Sequence, residues 1–390
     1  MTVTRPANRI PRNLWLVGLI SLFTDWSSQM IFPLLPLFLT QSLGAGAAVV
    51  GLVEGAAESV AALLKLWSGG LSDRMARRKP FVVAGYAASS LAKALFVLAN
   101  GWATVLLARV VERIGKGVRS APRDALVADT VPASERGGAY GWQRAMDGAG
   151  SMLGALTALL LIGFFSYKTV FALALIPAVV ALFLTTRLQE PAEASARSAS
   201  RALSLPRLDR GTAAAVWAAA AFAFSRLSFA FLLLAGLDRG AGAQGVLAAY
   251  ALYQAVYTLS SPRAGKASDR WGRRPVLLTG YGLQLLMLLV LAEGSLLSVV
   301  IAGMIYGVSE AAVDGTQRAW IVDHAAGEGR GGALGWYHAA IAATALPGAW
   351  LLGLIWQDHG APTACALSAA LTLIAALALW RVPSPRQNPG

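Results

Sequence analysis

Apolar runs of about twenty residues recur from one end of this chain to the other, and no water-soluble core could absorb them all. At about 1.5 Å rise per residue, each run is long enough to cross a hydrocarbon layer as a helix. Of the 390 residues, 56% are hydrophobic and only 14% charged, against roughly a quarter charged in an ordinary soluble domain. Hydropathy places about twelve spans, at 14–38, 47–68, 80–99, 102–126, 138–164, 168–187, 212–236, 243–264, 275–293, 295–317, 331–356 and 361–381. The stretch 189–211, QEPAEASARSASRALSLPRLDRG, has no apolar periodicity and is expected to be a linker. The expected domains are therefore an N-terminal bundle at 1–188, the linker, and a C-terminal bundle at 212–390.

Composition also excludes several function classes. The single cysteine, Cys365, rules out a disulfide framework, a cysteine-based zinc cluster or a CxxC redox pair. A formal charge of +13 could suggest nucleic acid, but the basic residues are interleaved with spans instead of gathered in one patch. Neither GxxxxGK[ST] nor HExxH occurs, so ATP hydrolysis and zinc proteolysis have no support, and an enzyme is not expected. No cofactor or metal is expected either. The basic start, MTVTRPANRIPRN, precedes a run too long for a cleavable signal.

Two internal repeats organise the spans. GGLSDRMARRK at 69–79 returns as GKASDRWGRR at 265–274, each joining two apolar runs. The first copy supplies Gly69, Asp73, Arg74, Arg77 and Arg78; the second supplies Gly265, Asp269, Arg270, Gly272, Arg273 and Arg274. RGGAYGW at 136–142 likewise returns as RGGALGW at 330–336. The offsets nearly agree, 269 − 73 = 196 and 330 − 136 = 194. Two homologous six-helix halves follow, related as parallel repeats. Both Asp-Arg loops, the linker, Arg136, Arg330 and the basic ends fall on one side of the membrane, with only Lys168 and Arg239 opposite. The positive-inside rule makes that side, with both termini, cytoplasmic.

On these motifs the chain resembles a major facilitator superfamily transporter along essentially its whole length, with some likeness to drug/proton antiporters. The family's loop signature is Gly-x-x-x-Asp-Arg-x-Gly-Arg-Arg. The second copy matches it throughout, and the first has Ala76 in place of the second Gly. The resemblance implies an all-α fold of two pseudo-symmetric six-helix bundles in the plasma (inner) membrane, working as a monomer by alternating access. It implies that helices one, four, seven and ten line a central path, and that the Asp-Arg loops latch one bundle to the other through charge-assisted hydrogen bonds.

Charged residues inside spans are costly and must face a partner or a wet cavity. Asp25 in the first span sits opposite Arg226 in the seventh when FTDWS (23–27) is laid on FSRLS (224–228); the two could be gates, solute contacts or a fixed pair between bundles. Span two carries Glu54, Glu58 and Lys65 on one stripe, whereas span eight carries Tyr250, Gln254 and Ser261, with Tyr253 and Tyr257 filling in. Span four places Arg109, Glu112, Arg113 and Lys116 at i, i+3, i+4 and i+7, a stripe no lipid could face. It is similar to the family's Arg-x-x-Gln-Gly motif, with Glu112 and Arg113 replacing Gln and Gly. In span five Arg144 and Asp147 are expected to pair, and Gly148, Gly150 and Gly154 to form a packing face; the antiporter Gly-Pro pair is missing. Span ten aligns Tyr306, Glu310, Asp314 and Gln317, and span eleven carries Tyr337 and His338. Lys93 in span three is expected to snorkel outward.

These positions divide into two sets of expected roles. Asp25, Glu54, Glu58, Arg113, Asp147, Glu310 and Asp314 would couple protons or gate, a carboxylate being cheap to bury once protonated. Gln29, Arg109, Lys116, Arg144, Arg226, Tyr250, Gln254, Tyr306, Tyr337 and His338 would line the solute cavity. Two kinds of transport compete: efflux of amphipathic compounds, towards which the resemblance leans, and proton-coupled uptake of an anionic nutrient or chelate, suited by Arg chemistry. A non-transporting membrane sensor or scaffold is the reading from another class.

Overall fold

A computed structural model describes residues 11–74, 78–131, 136–189, 208–325 and 330–383. Among them the chain forms twelve helical segments and no strand. They are α1 Arg12–Ile31, α2 Ala47–Arg74, α3 Lys79–Leu98, α4 Trp102–Thr130, α5 Arg136–Leu161, α6 Tyr167–Thr186, α7 Arg210–Asp238, α8 Ala243–Trp271, α9 Arg273–Ala292, α10 Leu296–His324, α11 Arg330–His359 and α12 Ala361–Arg381. Eight of the twelve are long and apolar enough to cross a membrane by length and composition. The other four, α1, α4, α5 and α8, include the charged stripe of α4 and the basic end of α8.

Large apolar side chains stand exposed on α3, α6, α9 and α12, among them Leu91, Ile176, Val179, Leu289, Leu373 and Ile374, which marks these as outer helices. Glycine lets the inner helices touch. A methyl group at Gly154 would come to 2.4 Å of the Trp26 carbonyl oxygen, and one at Gly348 to 2.3 Å of that of Phe224. These glycines stand 348 − 154 = 194 positions apart, so the same α1–α5 contact recurs as α7–α11. Gly150 packs likewise against Leu22, but Gly148 meets nothing within 4 Å and takes no part in the packing face expected of it.

Three segments depart from regular helix, α6 only by a single turn at Ala174. α1 runs on past Ile31 through a 3-10 turn at Phe32–Leu34 and a π turn at Phe38–Ser42, where Pro33 and Pro36 deny the ladder two amide donors. α7 is interrupted between Ser225 and Phe229, with Arg226 extended at φ −76° and ψ 119°. Backbone freed inside a membrane needs new partners: the Ser225 carbonyl accepts from Ser368 Oγ at 2.7 Å, and the Ser225 hydroxyl accepts from Thr372 at 3.1 Å.

The halves meet tightly on the side away from the Asp-Arg loops. There α2 lies along α11, with Gly51 against Ala349, Gly55 against Leu346 and Gly353 against Ala47. Ser59 Oγ accepts from the Leu346 amide at 3.0 Å, and Gln357 Oε1 from the Ala48 amide at 3.3 Å. Ile31, Leu34, Leu35, Phe38, Leu227 and Phe231, all fully buried, plug the same end between α1 and α7.

The second Asp-Arg loop is built within its own half. Asp269 and Arg273 pair directly, Arg273 Nε lies 3.2 Å from Asp323 at the end of α10, and Arg274 donates to the Val382 carbonyl after α12. Gly272 at φ +93° makes the turn in a region that favours glycine. Among the described residues the partners of this copy belong to the C-terminal half, so no latch across the bundles is formed there by Arg273 or Arg274. In the first copy, α2 ends at Arg74; the side chains of Gly69, Asp73 and Arg74, and all of Arg77, lie outside the described residues, while Arg78 opens α3.

Candidate functional site

Between the halves lies a cavity of two adjacent chambers that share part of their walls. The larger, about 320 Å³, is bordered by Glu58, Arg113, Lys116, Arg226, Glu310 and Asp314, with Gln317 and Tyr337. The smaller, about 240 Å³, lies nearer the sealed end and is bordered by Phe32, Glu54, Arg109 and Ser228 and by the aromatic group Phe229, Tyr250, Tyr253 and Tyr306. Arg113, Arg226 and Glu310 belong to both walls.

Exposure rises along three helices towards the Asp-Arg-loop side. Side-chain exposure goes from 4% at Arg109 to 17% at Arg113 on α4, and from 19% at Glu310 to 48% at Asp314 on α10. Lys116 and Glu58, further along α4 and α2, are exposed. The cavity is thus shut at one end and open at the other.

Pairing is arranged inside each half. On α4, Arg109 reaches Glu54 of α2 at 3.3 Å and Glu112 at 3.7 Å, and Arg113 Nε stands 3.5 Å from the same Glu112. Glu112 is 1% exposed and Arg109 3%. The Phe32 ring lies under both guanidinium groups, 4.0 Å from that of Arg109 and 5.7 Å from that of Arg113, a geometry in which the ring face attracts cation. In the other half Arg226, at the break in α7, meets Glu310 of α10 at 2.9 Å, while Asp314 pairs with Arg318 at 2.9 Å and accepts from the Tyr257 hydroxyl at 3.3 Å. A bond between the halves crosses the chambers, Tyr250 Oη donating to Gln29 Oε1 at 2.7 Å.

Most of the residues assigned from sequence converge here. Glu54, Glu58, Arg109, Arg113, Lys116, Arg226, Tyr250, Tyr306, Glu310, Asp314 and Tyr337 border the chambers, with Gln29 bonded to their edge. Others do not. Asp25 forms no ion pair with Arg226, whose carboxylate partner is Glu310. Arg144 and Asp147 do not pair: Arg144 is exposed away from the chambers, and Asp147 faces Arg123 of α4 at 4.0 Å. One helical turn separates Arg144 from Asp147 in sequence, but the packing of α4 against α5 offers Asp147 the nearer cation. His338 stacks edge-on with Tyr337 at 5.1 Å behind the wall, and Gln254 is half-buried on α8 outside it. Lys93 does not snorkel: it is 1% exposed and donates to the Thr24 carbonyl at 3.4 Å.

What sequence reasoning missed is Phe32, Phe229 and the break at 226–228. Alternating large and small apolar residues carry no mark of which ring will face a cavity. For Phe32 the one signal was the Pro33/Pro36 pair beside it.

Comparison with known proteins places the fold. The profile of the Major Facilitator Superfamily matches residues 17–252 and 213–390, and the chain belongs to that family. It is 31% identical over 357 residues to an uncharacterized MFS-type transporter of Methanocaldococcus jannaschii, covering 89% of each chain. A shorter match, 32% identity over 127 residues, covers 33% of this chain and 31% of the multidrug resistance protein MdtH of Photorhabdus laumondii. Among solved structures the nucleoside transporter NupG superposes with a TM-score of 0.84 at 12% identity, covering 95% of this chain and 100% of that one.

Proposed function

We propose that this member of the Major Facilitator Superfamily moves a small polar organic solute by alternating access, driven by protons, with export as its direction. The observation that carries the reading is the cavity itself: closed at one end by apolar packing, open at the other, and bordered between the halves by Glu58, Arg113, Lys116, Arg226, Glu310 and Asp314. A static scaffold would gain nothing from holding these charges between its halves.

In this reading the halves 1–188 and 212–390 rock about the solute, joined by 189–211, in the plasma (inner) membrane with both termini in the cytoplasm. The chain acts as a monomer and the cavity here faces inward. For the cavity to open the other way, the α2–α11 seam must part and the charged end must close. Closing removes water from Glu58, Glu310 and Asp314. Protonation lowers the cost of that burial, so a proton enters on one side and leaves on the other with each cycle. Partial likeness to a multidrug resistance protein supports export. Uptake is the second reading, favoured by Arg109, Arg113 and Arg226 around the smaller chamber.

Proteoliposomes with an imposed pH gradient test it. Wild-type protein is expected to accumulate a transported solute against its gradient. Glu310→Gln is expected to abolish accumulation while retaining solute exchange. Undiminished pH-driven accumulation by Glu310→Gln and by Asp314→Asn would remove the coupling assignment; absence of any flux would favour the non-transporting reading.

A further inference from the structure

The charges around the cavity are not used evenly. Its acids are engaged: Glu54 with Arg109 at 3.3 Å, Glu310 with Arg226 at 2.9 Å, Asp314 with Arg318 and Tyr257, and Glu58 is not without a partner. The cations of α4 are different. Among the described residues Lys116 has no ion pair within 4 Å and its ammonium makes no hydrogen bond, although it stands in the wall of the larger chamber; Asp25 and Glu112 act on it only from longer range. Arg113 touches protein charge there only through Nε, 3.5 Å from a Glu112 it shares with Arg109, and its guanidinium makes no hydrogen bond to a described residue. The two lie three positions apart on one face of α4, so their unused donors point into the same space.

The wall of the smaller chamber next to Arg113 is aromatic, its rings set at 26° to 70° to one another. Phe229 and Tyr253 stack with centroids 4.2 Å apart, and Tyr250 and Tyr306 flank Tyr253 at 5.7 and 5.6 Å. Phe32 lies opposite, beneath Arg109 and Arg113. Faces of this kind take planar unsaturated rings. Ser228 Oγ, buried at the start of the second part of α7, has no hydrogen-bond partner among the described residues and adds one more polar contact at that wall.

We infer that the solute is an organic anion with a planar unsaturated ring, its carboxylate, phosphate or sulfonate held by Arg113 and Lys116 and its ring stacked in the Phe229–Tyr250–Tyr253–Tyr306 wall. A guanidinium fork and an adjacent ammonium supply the donor geometry such groups require. A cationic solute would meet spare positive charge and engaged carboxylates, and an uncharged apolar one would leave the donors unfilled. The inference rests on the transporter reading only in calling the ligand a solute. Binding tests it separately.

The purified full chain is heated with naphthalene-2-carboxylate, its decahydro analogue, 2-naphthylmethylamine or 2-naphthalenemethanol, and the unfolding temperature is followed, since a ligand of the native state must raise it. The aromatic carboxylate is expected to give the largest rise and the saturated one a smaller rise. The amine and the alcohol should give none. Arg113→Gln should weaken carboxylate binding at least about tenfold and Lys116→Gln by a smaller factor, as loss of hydrogen bonds to a charged group does. Arg113→Lys should restore part of it. Equal or greater stabilisation by the amine, no stabilisation by either carboxylate, or unchanged carboxylate affinity in both Gln variants would overturn the inference; the wild-type panel decides even where a variant fails to fold. Carboxylate binding without flux in proteoliposomes would count against the transporter reading alone, and flux of the amine without carboxylate binding against the anion alone.

Discussion

Laid on each other by the 194-position offset, α4 and α10 carry opposite chemistry. Lys116 corresponds to Glu310 (310 − 116 = 194), Glu112 to Tyr306, Arg119 to Val313 and Arg123 to Gln317. Close by, Tyr86 of α3 corresponds to Tyr281 of α9 (281 − 86 = 195). In the first half Arg119 lies over the Tyr86 ring at 4.4 Å and donates to Ser89; in the second, Tyr281 stacks on Phe222 at 3.8 Å and its hydroxyl accepts from Gln317. The backbone contact beneath is the same: Gly85 packs on Gly115 as Gly280 packs near Ser309. Duplication thus kept the helix-to-helix fit and let the side chains diverge. One half concentrates charge on this helix; the other keeps a single carboxylate, Glu310, among a tyrosine, a valine and a glutamine at the matching positions. A solute held between them meets a cationic wall and an aromatic one.

The largest expected effect comes from breaking the charge that the second half does keep. Arg226→Ala strands Glu310 and should cost about 3 kcal/mol of stability in detergent, the low end for a broken buried pair because both side chains keep some water. The double variant Arg226→Gln/Glu310→Gln should recover most of it. Lys116→Ala, at the position matching Glu310, should change stability by no more than about 0.5 kcal/mol, having no ion partner among the described residues to strand. Equal losses at the two positions would erase the contrast.

The seams between halves differ as well. Glycines draw α2 and α11 together, while next to the matching α5–α8 seam, in the turn just after α5, a methyl at Gly163 would meet the Gln244 side chain, which can move. Gly51→Val would drive a branched side chain against the Ala349 carbonyl, at an overpacking cost of about 2 kcal/mol to the sealed state. In a Cys365→Ser background, Leu233→Cys should then react more than about tenfold faster with an impermeant maleimide added on the sealed side. An unchanged rate would mean that this seam does not hold the end shut.

A smaller effect separates two tyrosines of the aromatic wall. Tyr250→Phe removes the bond to Gln29 and should cost the sealed state about 1 kcal/mol, visible as a proportionate rise in the same labelling rate. Tyr253→Phe should leave it unchanged, since that side chain acts through stacking.

The smallest concerns how the halves begin. α7 starts with Asp209 accepting from the Gly211 and Thr212 amides, whereas α1 starts at Pro11 with no side-chain cap. Asp209→Ala should cost up to about 1 kcal/mol. Hydrogen bonds from the Thr212 hydroxyl and then from the two amides, against a small desolvation, hold the Asp209 carboxyl below the usual carboxylate range. Its contribution is therefore complete above the unfolded-state value and fades as pH falls through the lower folded one. Wild type and variant should converge in stability on acidification; a gap that widens would contradict the cap.

Much of the site is legible in the amino-acid sequence alone. Glu54, Arg109, Arg113, Arg226, Glu310 and Tyr250 stand out because a charge or a hydroxyl within an apolar run must find something polar, and the repeat tells which runs face each other. Partner choice is not legible. The sequence repeat lays Asp25 opposite Arg226, yet in the structure the contact made at Trp26 recurs at Phe224 and Arg226 meets Glu310, because the rotation of α7 about its axis and its break at Arg226 decide where the guanidinium points. Side-chain length alone sends Lys93 outward, whereas α3 turns it in towards Thr24.

The sequence by itself determined that this is a duplicated, all-helical membrane protein, because apolar length, repeat offset and loop charge are properties of the chain that no packing can alter. Only the tertiary structure decided that one end is shut by glycine-close helices, that the second Asp-Arg loop is bound within its own half, and that Arg113 and Lys116 are left with donors to spare. Those outcomes depend on which face each helix turns to its neighbour, and a periodicity of 3.6 residues gives the faces without saying how they are turned.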